Sequence, residues 1–286
     1  MIDSDRMLYV LLMFLSASIS MVLAILAFRS QRNVPRTKPF AMMALGGSAW
    51  MVSVALDMLT NNLVFKSILW WLIPLFILIT LIGLFIFSLE FSLHLDRVPK
   101  AVLYPVIVTG LVIAIFSATN NIHHLMWTVT ITDGYYTQIM GNFFWVQLVF
   151  TYLLTFGSFA LLILAYLRSK GIMRRQTVFL LVGIIIPILV SIAVDVFGLD
   201  PLPHIDEPAL SSMITVLLFG WITFRFNNIF QLLPVASDVI IKHMHDMVLV
   251  TNLEGIIIFS NPAAQLFFGR TAIFLNGYNV ARVLEG

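Results

Sequence analysis

Cysteine is absent from all 286 residues. That excludes disulfides, thiolate metal sites and thiol nucleophiles, and leaves the compartment open. Charge is almost as scarce. Only 10% of residues are Asp, Glu, Lys or Arg, against roughly a quarter in a soluble domain. A net charge of +2 supplies no bulk basic field for nucleic acid. There is no repeat of fixed period and no low-complexity tract. The leader "MIDSDRM" is acidic rather than basic, and a span-length apolar run follows it, so no cleavable signal peptide is expected. What is abundant is apolar side chain, at 60% of residues and a mean hydropathy of +0.99. The chain reads as an integral membrane protein.

A membrane helix needs about 20 mostly apolar residues. Seven such runs are predicted, over 7–28, 40–60, 68–90, 101–119, 143–167, 178–198 and 209–226. The expected fold is an all-α, seven-helix transmembrane bundle, residues 1–226. Lys and Arg in the short loops set the orientation. The first loop holds Arg29, Arg32, Arg36 and Lys38, the third Arg97 and Lys100, and the fifth Arg168, Lys170, Arg174 and Arg175. The other side has only Arg6 in the leader and Lys66 in the second loop. The bias predicts the N-terminus outside, the C-terminus in the cytoplasm, and a multi-pass protein of a prokaryotic plasma membrane. The outer side carries the long aromatic loop "NNIHHLMWTVTITDGYYTQIMGN" and the acidic loop "LDPLPHIDEP". Trp70, Trp71, Trp127, Tyr135, Tyr136 and Trp145 fall near the outer boundary, as an aromatic belt would.

Two acids lie inside the spans. Each costs roughly 2.5–3.5 kcal/mol at a helix centre and less near an end. Asp57 shares a helix face with Trp50 and Ser53, and Asp195 with Pro187 and Ser191. Pro187 frees a backbone carbonyl and permits a kink. An outward-open ligand pocket lined by these residues and the fourth loop is one reading. Two acids reaching the outer interface, or one helix-packing hydrogen bond, is the other. His123 and His124 are neighbours, so on a helix they point about 100° apart and do not share a metal ion easily. They are candidates for ligand sensing or for capping, with Asn120 or Asn121 as turn former. No metal site is expected.

Seven spans also fit retinal proteins, but residues 209–226 hold no lysine for a Schiff base. A transporter would show paired halves with broken helices. No internal symmetry is evident, although Pro74, Pro105 and Pro187 keep that reading open, as does a regulatory tail. A third reading makes the helices a membrane anchor only.

Beyond Arg225, residues 227–246 predict an amphipathic linker helix that starts near Pro234. Then "MVLVT", "NLEG" and "IIIFS" predict a β-hairpin turning at Asn252 and Gly255. A helix follows, with Asn261 as N-cap, Pro262 at its first position and Gly269 as stop. This element set needs more strands than residues 247–286 supply, so a longer protein is expected.

"DMVLVTNLEGIIIFSNPAAQLFFG" resembles the opening of a PAS domain, an α+β fold, with Asn252 where the turn usually carries Asp. "ATNNIHHLMW", "GNFFWVQLVFTYLL", "RRQTVFLLVGIIIPILVSIAVDVFG" and "LLPVASDVIIKHMHDMVLV" resemble, in that order, the N-terminal seven-helix sensor region of bacterial and archaeal histidine kinases. The resemblance implies a two-component sensor. An outside or membrane stimulus, from an unknown small molecule or from the bilayer, passes through helix 7, with Arg225 at its inner end, to PAS. Beyond it a homodimeric kinase would use ATP and Mg²⁺ and phosphorylate a response regulator. Similar regions sit on diguanylate cyclases. This chain has neither a phosphoacceptor helix nor ATP-binding boxes, and a strand follows His245 where such a helix would continue. No cofactor is expected here, and the PAS ligand is unknown.

Overall fold

The computed structural model describes residues 4–30, 37–93, 98–132, 135–199, 207–226, 244–251, 255–269, 278–280 and 283. They fall in two compact units, Met1–Phe230 and Gln231–Gly286. In the first, long apolar runs become α1 (Ser4–Ser30), α2 (Thr37–Leu59), α3 (Leu63–Leu93), α4 (Lys100–Ala118), α6 (Asn142–Arg168), α7 (Gly171–Ser191) and α8 (Glu207–Phe226). Six of them are long and apolar enough to cross a membrane. The described apolar part of α8, Pro208–Phe219, is shorter. In lipid a helix satisfies its own backbone, which is why apolar runs of this length take that form.

Packing closes a ring. Helix α1 lies on α2, α2 on α3, α3 on α6, α6 on α7, α7 on α8, and α8 back on α1. Helix α4 packs mainly on α3, outside the ring, stacks Phe116 on Phe143 of α6 at 4.1 Å, and exposes Tyr104, Val108, Leu111 and Ile115. Small residues bring the ring helices close. A Cβ on Gly83 of α3 would stand 2.7 Å from the Met43 amide nitrogen of α2, and one on Gly46 would stand 2.7 Å from Thr80 Oγ1. Between α1 and α2, Ser20 Oγ donates to the Ala44 carbonyl at 2.8 Å and Ser48 Oγ to the Ala17 carbonyl at 2.9 Å. One end of the ring is filled by rings: Phe40 stacks on Phe219 at 6.0 Å and meets Phe87 at 5.9 Å.

Several features depart from the sequence expectation, among them the start of α7 at Gly171 rather than 178, which puts Arg174 and Arg175, expected in a loop, on the helix. Helix α3 starts at Leu63, not 68, because Asn62 Oδ1 accepts from the Phe65 amide at 3.2 Å and caps it early. Lys66, expected in a loop, therefore lies on the helix. The fourth loop is not irregular. It forms α5 (Asn120–His123) and an antiparallel hairpin of β1 (Trp127–Thr132) and β2 (Tyr135–Met140), with Trp127 opposite Met140 and Thr132 opposite Tyr135. Finally, α7 ends in a π-helical turn, Ile192–Val196, before Gly198 at φ +65°. The sixth loop and most of the expected linker lie outside the described residues.

The second unit holds a hairpin of β3 (Leu249–Thr251) and β4 (Ile257–Ser260), then α9 (Pro262–Phe268). Asn261 Oδ1 accepts from the Ala264 amide at 2.9 Å as N-cap, and Gly269 ends α9 at φ +59°. The same Asn261 amide donates to the Asp246 carbonyl and accepts from the Val248 amide, tying the strand entry to the helix start. Gly255 sits at φ +78°, and the Val280 amide donates to its carbonyl at 2.8 Å. Asn252 lies outside the described residues.

The helix contacts make a specific prediction. Gly83→Ala should lower the melting temperature of the detergent-purified protein, at a cost of about 1–3 kcal/mol, because backbone must move. Gly47→Ala, whose Cβ would find its nearest neighbour at 3.8 Å, should be neutral. Equal melting temperatures for the two variants would refute close α2–α3 packing.

Candidate functional site

The ring helices line a partly open cavity of about 780 Å³. Its α2 wall is one helical stripe: Phe40, Met43, Ala44, Gly47, Trp50, Met51, Val54, Asp57 and Met58. These spacings of three and four are what one face of a helix presents. From Phe40 to Asp57 the stripe runs about 25 Å at about 1.5 Å per residue. Helix α3 adds Lys66, Trp70, Pro74 and Leu84, and α6 adds Gln147 and Thr151. From α7 come Ile184, Pro187, Ile188 and Ser191, and from α8 Ser212, Thr215 and Phe219. The hairpin reaches over one end with Trp127, Tyr136, Thr137 and Gln138.

Charge is confined to the hairpin end. Lys66 is 3% exposed, and its Nζ lies 3.1 Å from Asp57 Oδ2. The same ammonium donates to the Asp57 carbonyl at 2.8 Å and stands 5.8 Å from the Trp70 ring centre. A lysine this deep needs its carboxylate and hydrogen bonds together. The connection between α2 and α3 is so short that the pair is delivered by the turn itself. Arg6, from the first turns of α1, lines the same end. Among the described residues, the buried polar atoms of the lining that lack a hydrogen-bond partner include Trp50 Nε1, Asp57 Oδ1 and Gln147 Oε1. An unmade hydrogen bond of this kind costs about 1–3 kcal/mol.

A second device joins α7 to α8. Pro187 has no amide hydrogen, so the Gly183 carbonyl, four residues earlier, loses its helical donor. Thr215 Oγ1 of α8 donates to that carbonyl. Pro187 and Thr215 both face the cavity. The π-helical turn then carries the backbone of Asp195; its side chain, like that of Arg225, lies outside the described ones, and Pro234 lies outside the described residues altogether.

The structure brings together only part of the expected set. Asp57, Trp50, Ser191 and Pro187 line one cavity. Ser53 does not. It is buried, and its Oγ donates to the Ala49 carbonyl of its own helix at 2.8 Å. At four residues from Asp57 it falls on the flank, and Val54, at three, holds the cavity face. His123 and His124 also stand apart. His123 Nδ1 accepts from the Leu125 amide at 3.0 Å, Nε2 meets Thr119 Oγ1 at 3.3 Å, and the ring lies 5.3 Å from Phe116. His124 is exposed in the left-handed region, φ 53°, at the end of α5. Asn120 is the organiser of that loop: its side chain donates to the Trp127 carbonyl and accepts from the Met126 amide, each at 2.9 Å. No group of three or more potential metal-ligating acids, histidines or cysteines occurs among the described residues.

Lys66, Gln147 and Thr215 were not singled out by sequence. Lys66 carried a signal, since an acid and a base flank "TNN", a turn that folds their helices together.

Comparison with known proteins gives one clear result. Residues 12–234 match the family described as the N-terminal 7TM region of histidine kinase. No curated protein matches the chain.

The ion pair predicts non-additivity. Asp57→Asn and Lys66→Met should each destabilise the purified protein, and the double variant should recover about 1–3 kcal/mol relative to the sum. Additive denaturation energies would show the two charges to be independent.

Proposed function

The chain belongs to the family of N-terminal 7TM regions of histidine kinases, and from that membership we propose that it is the input of a two-component sensor whose stimulus enters the ring cavity. The observation that carries this reading is the cavity itself. It is charged at the hairpin end, walled on two sides by α7 and α8, and lined at the far end by Phe40 and Phe219, which stack at 6.0 Å. A far end with no charged group suits a receptor better than an ion or polar-solute path. In this reading α8 is the seventh span, the N-terminus and hairpin face outward, and the basic loops face the cytoplasm. Residues 227–246 carry the signal to a PAS domain that begins at 247. Beyond it a homodimeric kinase uses ATP and Mg²⁺ and phosphorylates a response regulator. The same input on a diguanylate cyclase would work by the same physics.

A ligand shifts such a switch only by binding its two states unequally. In this reading the wall that differs between states is α7–α8, where Thr215 of α8 bonds the Gly183 carbonyl that Pro187 leaves without a helical donor. Thr215→Val in the full-length protein should change unstimulated output by about five- to tenfold while membrane insertion stays normal. Asp57→Asn and Asp195→Asn should change the response to stimulus, again without loss of insertion. The decisive control replaces residues 1–230 with an unrelated membrane anchor. Loss of regulated phosphorylation is expected, and retention of it would reduce the helices to an anchor.

A further inference from the structure

We infer that the cavity takes a single-chain amphiphile with an uncharged head that both donates and accepts hydrogen bonds. The inference rests on the cavity's proposed role as the receiving site. Polarity divides the cavity along its length. The floor is Leu23, Phe40, Met43, Leu84, Ile184 and Phe219, with no charged group among them. Ser20 and Thr80, midway, already donate to the Ala44 and Phe76 carbonyls, so they ask nothing of a ligand. That half recognises hydrocarbon only. In the hairpin half, Trp50 Nε1 is an unused donor, and Asp57 Oδ1 and Gln147 Oε1 are unused acceptors. Gln147 is 6% exposed, so bulk water does not serve it.

The head is set by what these atoms lack. It must accept from an indole N–H and donate to an amide or carboxylate oxygen. An amide or ester carbonyl beside a hydroxyl or N–H does both. A full anion is not called for, because the Lys66 ammonium is already held by Asp57 at 3.1 Å and Arg6 at the same end is itself engaged within the chain. The tail is set by shape. About 25 Å separates Asp57 from Phe40 along α2, and about 780 Å³ is available, within the range of small-molecule sites. Spread over that length, the volume makes a slot for one extended chain. Such a molecule could arrive from solution or from the bilayer, and chain length separates the sources. A hexanoyl chain reaches the site through water, a palmitoyl chain through the membrane.

The test uses the chain in phosphatidylcholine nanodiscs and N-dodecanoyl ethanolamine carrying a diazirine at the chain end. Photolabelling should place adducts around Phe40, Met43 and Phe219. Excess unlabelled N-dodecanoyl ethanolamine should compete, as should the hexanoyl or the palmitoyl homologue according to source, and tail-less N-acetyl ethanolamine should not. Gln147→Leu should weaken competition by about tenfold, equivalent to about 1.4 kcal/mol. Met43→Trp, which fills the floor, should abolish the floor adducts. Adducts confined to outward residues such as Leu111 and Leu153, or insensitive to competitor, would mean partition into the bilayer only and overturn the inference. So would equal competition by the tail-less head. The same compound is then applied to the full-length protein. Floor labelling without any change in output keeps this ligand class and removes the sensor reading. Regulated output from a protein that resists labelling keeps the sensor reading and removes this ligand class.

Discussion

A lysine ammonium sealed among apolar helices has to be neutralised where it stands, and Asp57 at 3.1 Å does so. Much of the structure follows from that requirement. The pair can form only if α2 and α3 are antiparallel neighbours in one register, and the short Thr60–Asn62 connection leaves little choice. Once the register is set, Gly46 faces Thr80 and Gly83 faces the Met43 backbone, so the two helices close to backbone contact. Close contact there places Trp50, Asp57, Lys66 and Trp70 on one inner surface. Breaking a buried pair by removing one partner is far more disruptive than the modest net gain from forming it. The pair thus acts less as glue than as a constraint on register.

On the opposite wall the governing feature is a missing donor. Pro187 deprives Gly183 of its helical hydrogen bond, and Thr215 supplies another from α8. The helix past that point is already irregular, with a π-helical turn at Ile192–Val196. Irregular geometry inside a membrane helix is tolerated where it is buried in protein or lines a cavity, and Pro187, Ser191 and Val194 do line one. The α2–α3 wall is tied by an ion pair and backbone packing, whereas the α7–α8 wall is clasped by a hydroxyl across a proline break. Of the two, the second has the weaker ties to rearrange.

Helix positions were legible because length and hydropathy alone decide them in a bilayer, and the spans expected at 143–167 and 209–226 lie within two residues of α6 and α8. Charges near helix ends were not. Lys66 looks like a loop residue until Asn62 is recognised as a cap and Asp57 as its partner. The hairpin was also written in the sequence, as alternating "TVTIT" before Asp133-Gly134, a dipeptide favoured in two-residue hairpin turns. The loop's polar and aromatic character masks that alternation. Face assignment failed at Ser53 for a geometric reason. At 3.6 residues per turn, positions three and four before Asp57 straddle it, and only the neighbouring helices decide which one looks inward. The cavity was beyond sequence altogether, since it arises from six faces that meet around a ring.

That ring explains why α4 stands aside. Six helices packed edge to edge leave an axial space, and filling it with α4 would place Lys100 and its apolar neighbours against the charged or aromatic lining. Instead α4 offers its apolar surface outward, where hydrocarbon solvates it as well as any protein core would. A soluble protein could not leave such a space undrained of water or unfilled by side chains at little cost. In the membrane the hydrophobic effect does not drive the helices inward, so an axial cavity is limited mainly by lost packing contacts. Whatever occupies the space touches all six walls, and on the α7–α8 wall it meets Thr215, whose bond to the Gly183 carbonyl is the tie that spans the proline break.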